Sequence, residues 1–125
     1  MTKYRVTLRF MSEDYDVLKM FVSNKNVNYE IFKQGDPIRP KSSNLAKKNV
    51  LIINILRTDS IEEIEQETKE MILKLDLGTF KSEMKKEIII SSINDTDQFG
   101  FELSNEFLQI IANNKLTLCV SGVFI

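Results

Sequence analysis

The chain has 125 residues, with 17 basic and 18 acidic side chains and a formal net charge of -1. A hydrophobic fraction of 42% and a charged fraction of 28% indicate one globular domain over residues 1–125 and exclude a disordered or membrane-embedded chain. The near-zero net charge disfavours nucleic acid as a partner, and no apolar run is long enough to predict a membrane span. The lone Cys119 cannot form an internal disulfide, which favours a reducing, cytoplasmic location.

The first half of the chain predicts three strands and one helix. Residues 4–10 alternate between apolar and polar with the two-residue period of a half-buried strand. Ser12 is the predicted N-cap of a short helix that carries an apolar stripe over residues 17–22. Residues 29–32 predict a brief second strand, and residues 34–48 predict a loop because they contain two prolines and a glycine. Residues 50–56 are apolar on both faces apart from one asparagine, as in a strand inside a sheet.

The second half predicts two more helices and two more strands. Ser60, Glu62 and Glu63 belong to a capping box that begins the clearest helix, and Gly78 is the predicted left-handed residue at its end. Residues 87–93 form the fourth predicted strand. Ser104 is the predicted cap of a helix that ends at residues 113–114, and residues 116–120 alternate as a closing strand.

This order of elements predicts an α+β fold. We expect a largely antiparallel, twisted sheet of four to six strands with the helices packed on one face, in a ferredoxin-like variant. We also expect the first and last strands to be neighbours in the sheet.

The residues that usually carry catalysis are scarce. The chain has no histidine, which removes the usual general base and the common nucleophile and zinc constellations. Cys119 lies in an alternating strand, so we expect core packing rather than a nucleophilic role. Residues 95–100 with Glu106 nearly match a calcium loop, but Phe99 replaces a ligand. We therefore expect no enzyme activity, no cofactor and no metal. A carboxylate-based hydrolase is the least favoured alternative, because no acidic pair is fixed by its spacing.

Charged residues mark the candidate contact surface. Arg5 and Arg9 share one face of the first strand, and a neighbouring last strand would extend this face into a polar groove. The loop over residues 33–48 is basic, whereas residues 59–76 contain seven acidic and two basic residues. Such asymmetry can steer a charged partner, although solvated loop and helix faces are the simpler and favoured explanation. The candidate partner or ligand contacts are Arg5, Arg9, Lys33, Asp36, Arg39, Glu62 and Glu63.

A diffuse pattern extends over nearly the whole chain. It consists of the strand at residues 4–10, the loop Lys33-Gln34-Gly35-Asp36-Pro37, the segment Phe101-Glu102-Leu103-Ser104 and the closing residues 116–124. This pattern resembles a bacterial family of unknown function, domain-of-unknown-function family 4279. Members often carry a tryptophan on the strand after the Gly-Asp loop, where this chain reads Asn49-Val50-Leu51-Ile52. The family has no established activity, so the resemblance implies fold and bacterial origin rather than mechanism.

Two functions fit these observations. The first is a non-catalytic protein-binding module, specifically a bacterial immunity protein that neutralises a toxin, by analogy with small bacterial proteins of this build. The alternative is a small-anion sensor or regulatory domain that uses the Arg5 and Arg9 face or the basic loop. We expect a protein partner and a monomeric or homodimeric chain.

Overall fold

The computed structural model describes residues 4–23, 25–37, 46–77, 84–94 and 102–124, which form one sheet and three helices. The strands are β1 (Tyr4–Ser12), β2 (Tyr29–Phe32), β3 (Asn49–Thr58), β4 (Lys85–Asn94) and β5 (Thr117–Phe124). The helices are α1 (Tyr15–Val22), α2 (Ile61–Leu75) and α3 (Asn105–Asn113).

The five strands form an open, twisted sheet in the order β2-β3-β1-β4-β5. The pairs β2–β3, β3–β1 and β1–β4 are antiparallel, and β4–β5 is parallel. The first four strands with α1 and α2 have the β-α-β-β-α-β connectivity of ferredoxin-like folds, to which α3 and β5 add an edge. The predicted α+β, ferredoxin-like fold is thus confirmed. The predicted pairing of the first and last strands is wrong, because β4 lies between β1 and β5.

The core lies between the sheet and the helices. Val6, Leu8 and Phe10 are at most 1% exposed, because the strand period directs alternate β1 side chains to the helix side. Phe10 meets Phe21 of α1 with ring centroids 5.2 Å apart. The other strands and the helices add apolar side chains to the same cluster, among them Leu51, Ile53, Ile64, Ile72, Leu75, Ile88, Ile90, Phe107 and Ile111. The three helices therefore pack on one face of the sheet, as predicted.

Two serines begin α2 and α3 as predicted. The hydroxyl of Ser60 accepts a hydrogen bond from the Glu63 amide at 3.3 Å, and that of Ser104 accepts one from the Phe107 amide at 3.1 Å. The reciprocal half of the predicted capping box is wrong. The Glu63 carboxylate accepts a 2.6 Å hydrogen bond from the Thr58 hydroxyl at the end of β3. Glu63 therefore ties α2 to the sheet instead of closing its own cap.

Two other helix ends differ from the prediction. The N-cap of α1 is Asp14, whose carboxylate accepts from the Asp16 amide at 3.0 Å. Ser12 instead accepts from the Asp14 amide at 3.1 Å, so it shapes the turn before the helix. At the end of α2 the left-handed residue is Asp76, with φ 53°. Gly78 lies outside the described residues.

The pairing of β1 with β3 contains one bulge. The register shifts between Val6, which faces Leu56, and Thr7, which faces Asn54, so Ile55 is the extra residue. A bulge of this kind changes which side of the sheet receives the following side chains. Leu56 consequently packs against the core, although strict alternation from residue 50 would place it on the opposite side.

Candidate functional site

The side of the sheet opposite the helices, here called the open face, is the most distinctive surface of the described residues. Since Val6, Leu8 and Phe10 point to the helices, Arg5 and Arg9 share the open face, as the alternation predicts. The cross-strand register aligns the other residues of this face with them. They are Thr7 and Met11 of β1, Glu30 and Phe32 of β2, Val50, Ile52, Asn54 and Arg57 of β3, Lys85, Glu87, Ile89 and Ser91 of β4, and Thr117, Cys119 and Ser121 of β5.

A buried carboxylate lies among these side chains. Glu87 is 5% exposed, and its Oε1 accepts from Nε of Arg9 at 3.0 Å, with Nη2 of Arg9 also at 3.0 Å. Cys119 Sγ donates to the other oxygen, Oε2, at 3.2 Å. Burial raises the pKa of Glu87, but the hydrogen bonds from Cys119 and Arg9 and the charges of Arg9 and Lys85 outweigh it and hold this pKa below its ordinary value. Glu87 is therefore ionised at neutral pH.

Cys119 is half-buried on the open face, so the prediction that it packs in the core is wrong. The hydrogen bond to Glu87 raises the pKa of its thiol, and burial and the negative charge of Glu87 act in the same direction. A thiol with a raised pKa stays protonated at neutral pH and is a poor nucleophile. The structure thus gives Cys119 the role of a hydrogen-bond donor to the buried carboxylate.

Beside the Arg9–Glu87 pair lies a cleft of about 360 Å³ with an apolar floor and a basic rim. The floor consists of Met11, Phe32, Ala46, Val50 and Ile52, and the rim consists of Arg9, Lys47, Lys48 and Lys85. We call this set the basic-rimmed cleft. Apolar area surrounded by cations fits a ligand or protein surface that combines apolar and anionic groups.

A second cationic spot lies at the other end of the open face. Arg5 of β1 pairs directly with Arg57 of β3 in the sheet register. Neither guanidinium forms an ion pair with another described residue. Like charges placed directly opposite one another are unfavourable, so an anion bound between them would relieve the repulsion.

Lys33 and Asp36 lie in the turn that follows β2. The Asp36 carboxylate accepts from the Lys33 amide at 2.8 Å, and Nζ of Lys33 lies 5.6 Å from the ring centre of Tyr15 in α1. The buried Asn49 fixes this turn to the rest of the fold, since its Oδ1 accepts from the Gln34 amide at 2.7 Å. Lys33 therefore contacts α1 and does not line the basic-rimmed cleft.

Glu62 and Glu63 lie at the start of α2, in the helix layer. Glu63 is engaged with Thr58, and Glu62 lines a small groove between α2 and α3. The turn with Lys33 precedes β3 and α2 follows it, so the two sites lie at opposite ends of a ten-residue strand, about 30 Å apart. The structure does not join the predicted acidic and basic residues into one site. Instead, the open face carries a group of basic residues, and α2 carries a separate group of five glutamates.

Two further predictions, besides Gly78, fall outside the described residues. Arg39 is one, and the calcium-like loop at residues 95–100 is the other. In the part of the chain that is described, no group of three or more cysteine, aspartate or glutamate side chains is placed to hold a metal ion. No described helix has both the length and the apolar character needed to cross a membrane.

Sequence reasoning missed several charged residues of the open face, among them Arg57, Lys85 and Glu87. The sequence did point to Glu87, because it directly precedes three isoleucines in a predicted strand. A glutamate is rarely buried in such a strand unless another side chain pairs with it. Arg57 and Lys85 carried no such signal, since they join the site through the cross-strand register.

Comparison of the sequence with protein-family models and with curated proteins found no match. The likeness to family 4279 rests on the residues quoted above and stays a proposal.

Proposed function

We propose that this chain is a non-catalytic protein-binding module whose partner docks on the open face of the sheet. The observation that carries the proposal is the basic-rimmed cleft. Its floor offers Phe32, Val50 and Ile52, which are half-buried on the side of the sheet that no described helix covers. The apolar floor supplies contact area, and Lys47, Lys48 and Lys85 of the rim supply orientation and a faster encounter with an acidic surface.

The chemistry of the neighbouring polar groups supports binding over catalysis. Glu87 is ionised and committed to Arg9, and the thiol of Cys119 has a raised pKa. A general base needs a pKa near the working pH, and a cysteine nucleophile needs a lowered one. The pKa of each group is shifted in the direction that disfavours its catalytic role, so we assign both groups a structural role in shaping the open face.

The partner of this face is expected to be a protein with an acidic rim around apolar side chains. Our finer proposal is that the partner is a toxin and that the chain is an immunity protein acting in the bacterial cytoplasm. It is supported by the analogy with small bacterial inhibitors, by the suitability of charged faces for fast association and by the lone cysteine.

A pull-down from the producing cells tests the binding proposal. We expect the wild-type chain to retain a protein whose affinity falls as salt rises, because the rim charges are exposed. Lys48→Glu and Lys85→Glu should each weaken binding by about tenfold or more, since like charges then face the acidic partner. Lys19→Glu, on the exposed side of α1, is the matched control and should leave binding unchanged.

Two results would contradict the binding proposal: recovery of no partner, or recovery of one that binds both rim variants normally. The immunity proposal has its own test. Co-expression with the recovered protein should restore growth if that protein is toxic, and a partner that is harmless to cells would remove the immunity role while leaving the binding role intact.

The alternative, a small-anion sensor, is favoured by the opposed pair Arg5 and Arg57. A thermal-shift series with inorganic phosphate, a dicarboxylate and a fatty-acid carboxylate tests it, because a ligand of the native state must raise the melting temperature. Arg57→Met should abolish a shift caused by phosphate or the dicarboxylate. A series in which none of the three anions raises the melting temperature would argue against a sensor.

A further inference from the structure

The outer edge of β5 is a second surface, separate from the basic-rimmed cleft. β5 comprises Thr117–Phe124 and is the last strand of the sheet. Among the described residues it pairs with β4 alone. The backbone amides and carbonyls on its other side are therefore arranged as a template for one more strand.

This edge lacks the features that usually prevent pairing. Edge strands are commonly short, or carry charges or proline, and these features discourage association with other chains. β5 has eight residues and contains no charged residue and no proline. The opposite edge, β2, has four residues and carries Glu30. Only one of the two edges is thus suited to pairing.

Two exposed apolar side chains flank the β5 edge. Val120 of β5 is 49% exposed, and Leu108 of α3 is 40% exposed. α3 packs against β5, and its side with Glu106 and Ile110 faces the groove to α2. Helical periodicity places Leu108 on the side of α3 that faces away from α2, toward the sheet edge. The apolar surface here continues from the strand onto the helix above it.

We propose that two copies of this chain pair antiparallel through β5 and join their sheets into one ten-stranded sheet. A second copy fits because an uncharged strand meets no like-charge repulsion when it faces itself. A two-fold contact uses the same patch on both chains and closes after two copies. Pairing residues 117–123 of both copies, with Val120 opposite Val120, places the two-fold axis at Val120 and brings the two exposed Val120 side chains together.

The pairing leaves the open face available. A two-fold axis perpendicular to the sheet keeps both helix layers on one side and both open faces on the other. The dimer therefore presents two basic-rimmed clefts on a single surface, and neither proposal depends on the other.

Molar mass measured by light scattering from about 1 to about 100 µM protein tests the pairing, since dimer population depends on concentration. The wild-type chain should approach twice the mass of one chain. Val120→Lys places two like charges at the axis and should raise the dissociation constant at least about a hundredfold. Tyr29→Lys, on the β2 edge with 42% exposure of the native side chain, is the matched control and should remain dimeric.

Ser121→Lys is a second edge variant in case Val120→Lys does not fold, which circular dichroism and a cooperative melt establish. Amide hydrogen exchange adds a direct readout, because β5 amides should be protected in the wild-type dimer and exchange faster in the edge variants. A wild-type chain that stays monomeric at the highest concentration overturns the proposal. A dimer that survives both edge variants, or that Tyr29→Lys alone dissociates, overturns it as well.

Discussion

The substitution Arg9→Met tests the electrostatic account of the open face. Methionine keeps much of the apolar stem of arginine and removes the guanidinium, whose Nε and Nη2 both lie 3.0 Å from Oε1 of Glu87. The Glu87 side chain is 6% exposed, so water cannot readily replace the lost donors. Arg9→Met therefore leaves a buried carboxylate with Cys119 as its remaining hydrogen-bond donor.

The expected cost follows from the burial of the two partners. Hydrogen bonds to charged groups contribute about 1.5–3 kcal/mol, and breaking a fully buried pair costs about 3–5 kcal/mol. The Arg9 side chain is 38% exposed, which weakens the native interaction and lets some water reach the variant site. We therefore expect a loss of about 2 kcal/mol at pH 7, equivalent to roughly 8 °C in melting temperature for a domain of this size.

The loss should depend on pH. In the wild type the folded pKa of Glu87 is lowered, so its stabilising contribution is present at neutral pH and disappears as the pH falls through that pKa. Without Arg9, burial is the largest remaining influence and favours the protonated carboxyl. The difference between wild type and variant should therefore shrink as the pH falls below the ordinary carboxyl pKa of about 4.3 and approaches the lowered pKa of Glu87 in the wild type.

Urea unfolding at a series of pH values, from about 7 down to about 3.5 where ordinary carboxyl groups titrate, provides the measurement. Arg5→Met is the matched control, because Arg5 lies on the same strand and face without an ion pair to a described residue, and its change should stay within about 0.5 kcal/mol. Glu87→Gln completes a double-mutant cycle, in which Arg9→Met should cost less once the carboxylate is gone. A loss at Arg9→Met that matches the control, or that is the same at every pH, would refute the reasoning.

Three further changes test other parts of the structure. Glu87→Gln removes the charge that raises the Cys119 pKa, so the thiol should react several times faster with a disulfide reagent. The rate is measured at pH 8, about half a unit below the usual thiol pKa. An unchanged rate would contradict the assigned hydrogen bond. Ser60→Ala removes the N-cap of α2 and should lower the free energy of unfolding by about 1 kcal/mol in urea denaturation, and a neutral result would mean that the Thr58–Glu63 contact alone begins the helix. Thr68→Val replaces a buried hydroxyl that has no partner among the described residues, so the melting temperature should stay level or rise; a clear fall would reveal an unrecognised hydrogen bond.

Local patterns predicted most of the elements. The two-residue period of β1, the serines before α2 and α3, and the short segment of β2 each depend on a few neighbouring residues, and each forms as expected. The prediction of a helix end was less accurate where several short polar residues could each act as the cap. Ser12, Asp14 and Asp16 all lie near the start of α1, and the side chain with the right reach to an amide of the first turn is Asp14.

Long-range pairing could not be predicted in the same way. Alternation places Arg5 and Arg9 on one face of β1. Which residue lies beside Arg9 depends on the register between β1 and β4, and its partner Glu87 is 78 positions away in the sequence. The insertion of β4 between the first and last strands likewise leaves no local signal. Only part of the candidate site could therefore be predicted from the sequence. The shared face of its arginines follows from periodicity, whereas its carboxylate and its lysine rim come together only in the folded sheet.

The extra residue Ile55 sets the phase of β3. Ahead of it, Val50 and Ile52 point away from the helices, and beyond it Arg57 does so while Leu56 turns inward. Uninterrupted alternation would drive the Arg57 guanidinium among apolar side chains, where an unpaired charge costs several kcal/mol. The bulge thus absorbs one residue more than plain alternation allows, and it keeps Leu56 inside and Arg57 outside. Deleting Ile55 would remove the bulge and leave both residues on their present sides, whereas straightening the bulge with Ile55 still in the strand would exchange charge for hydrocarbon on both sides of the sheet at once.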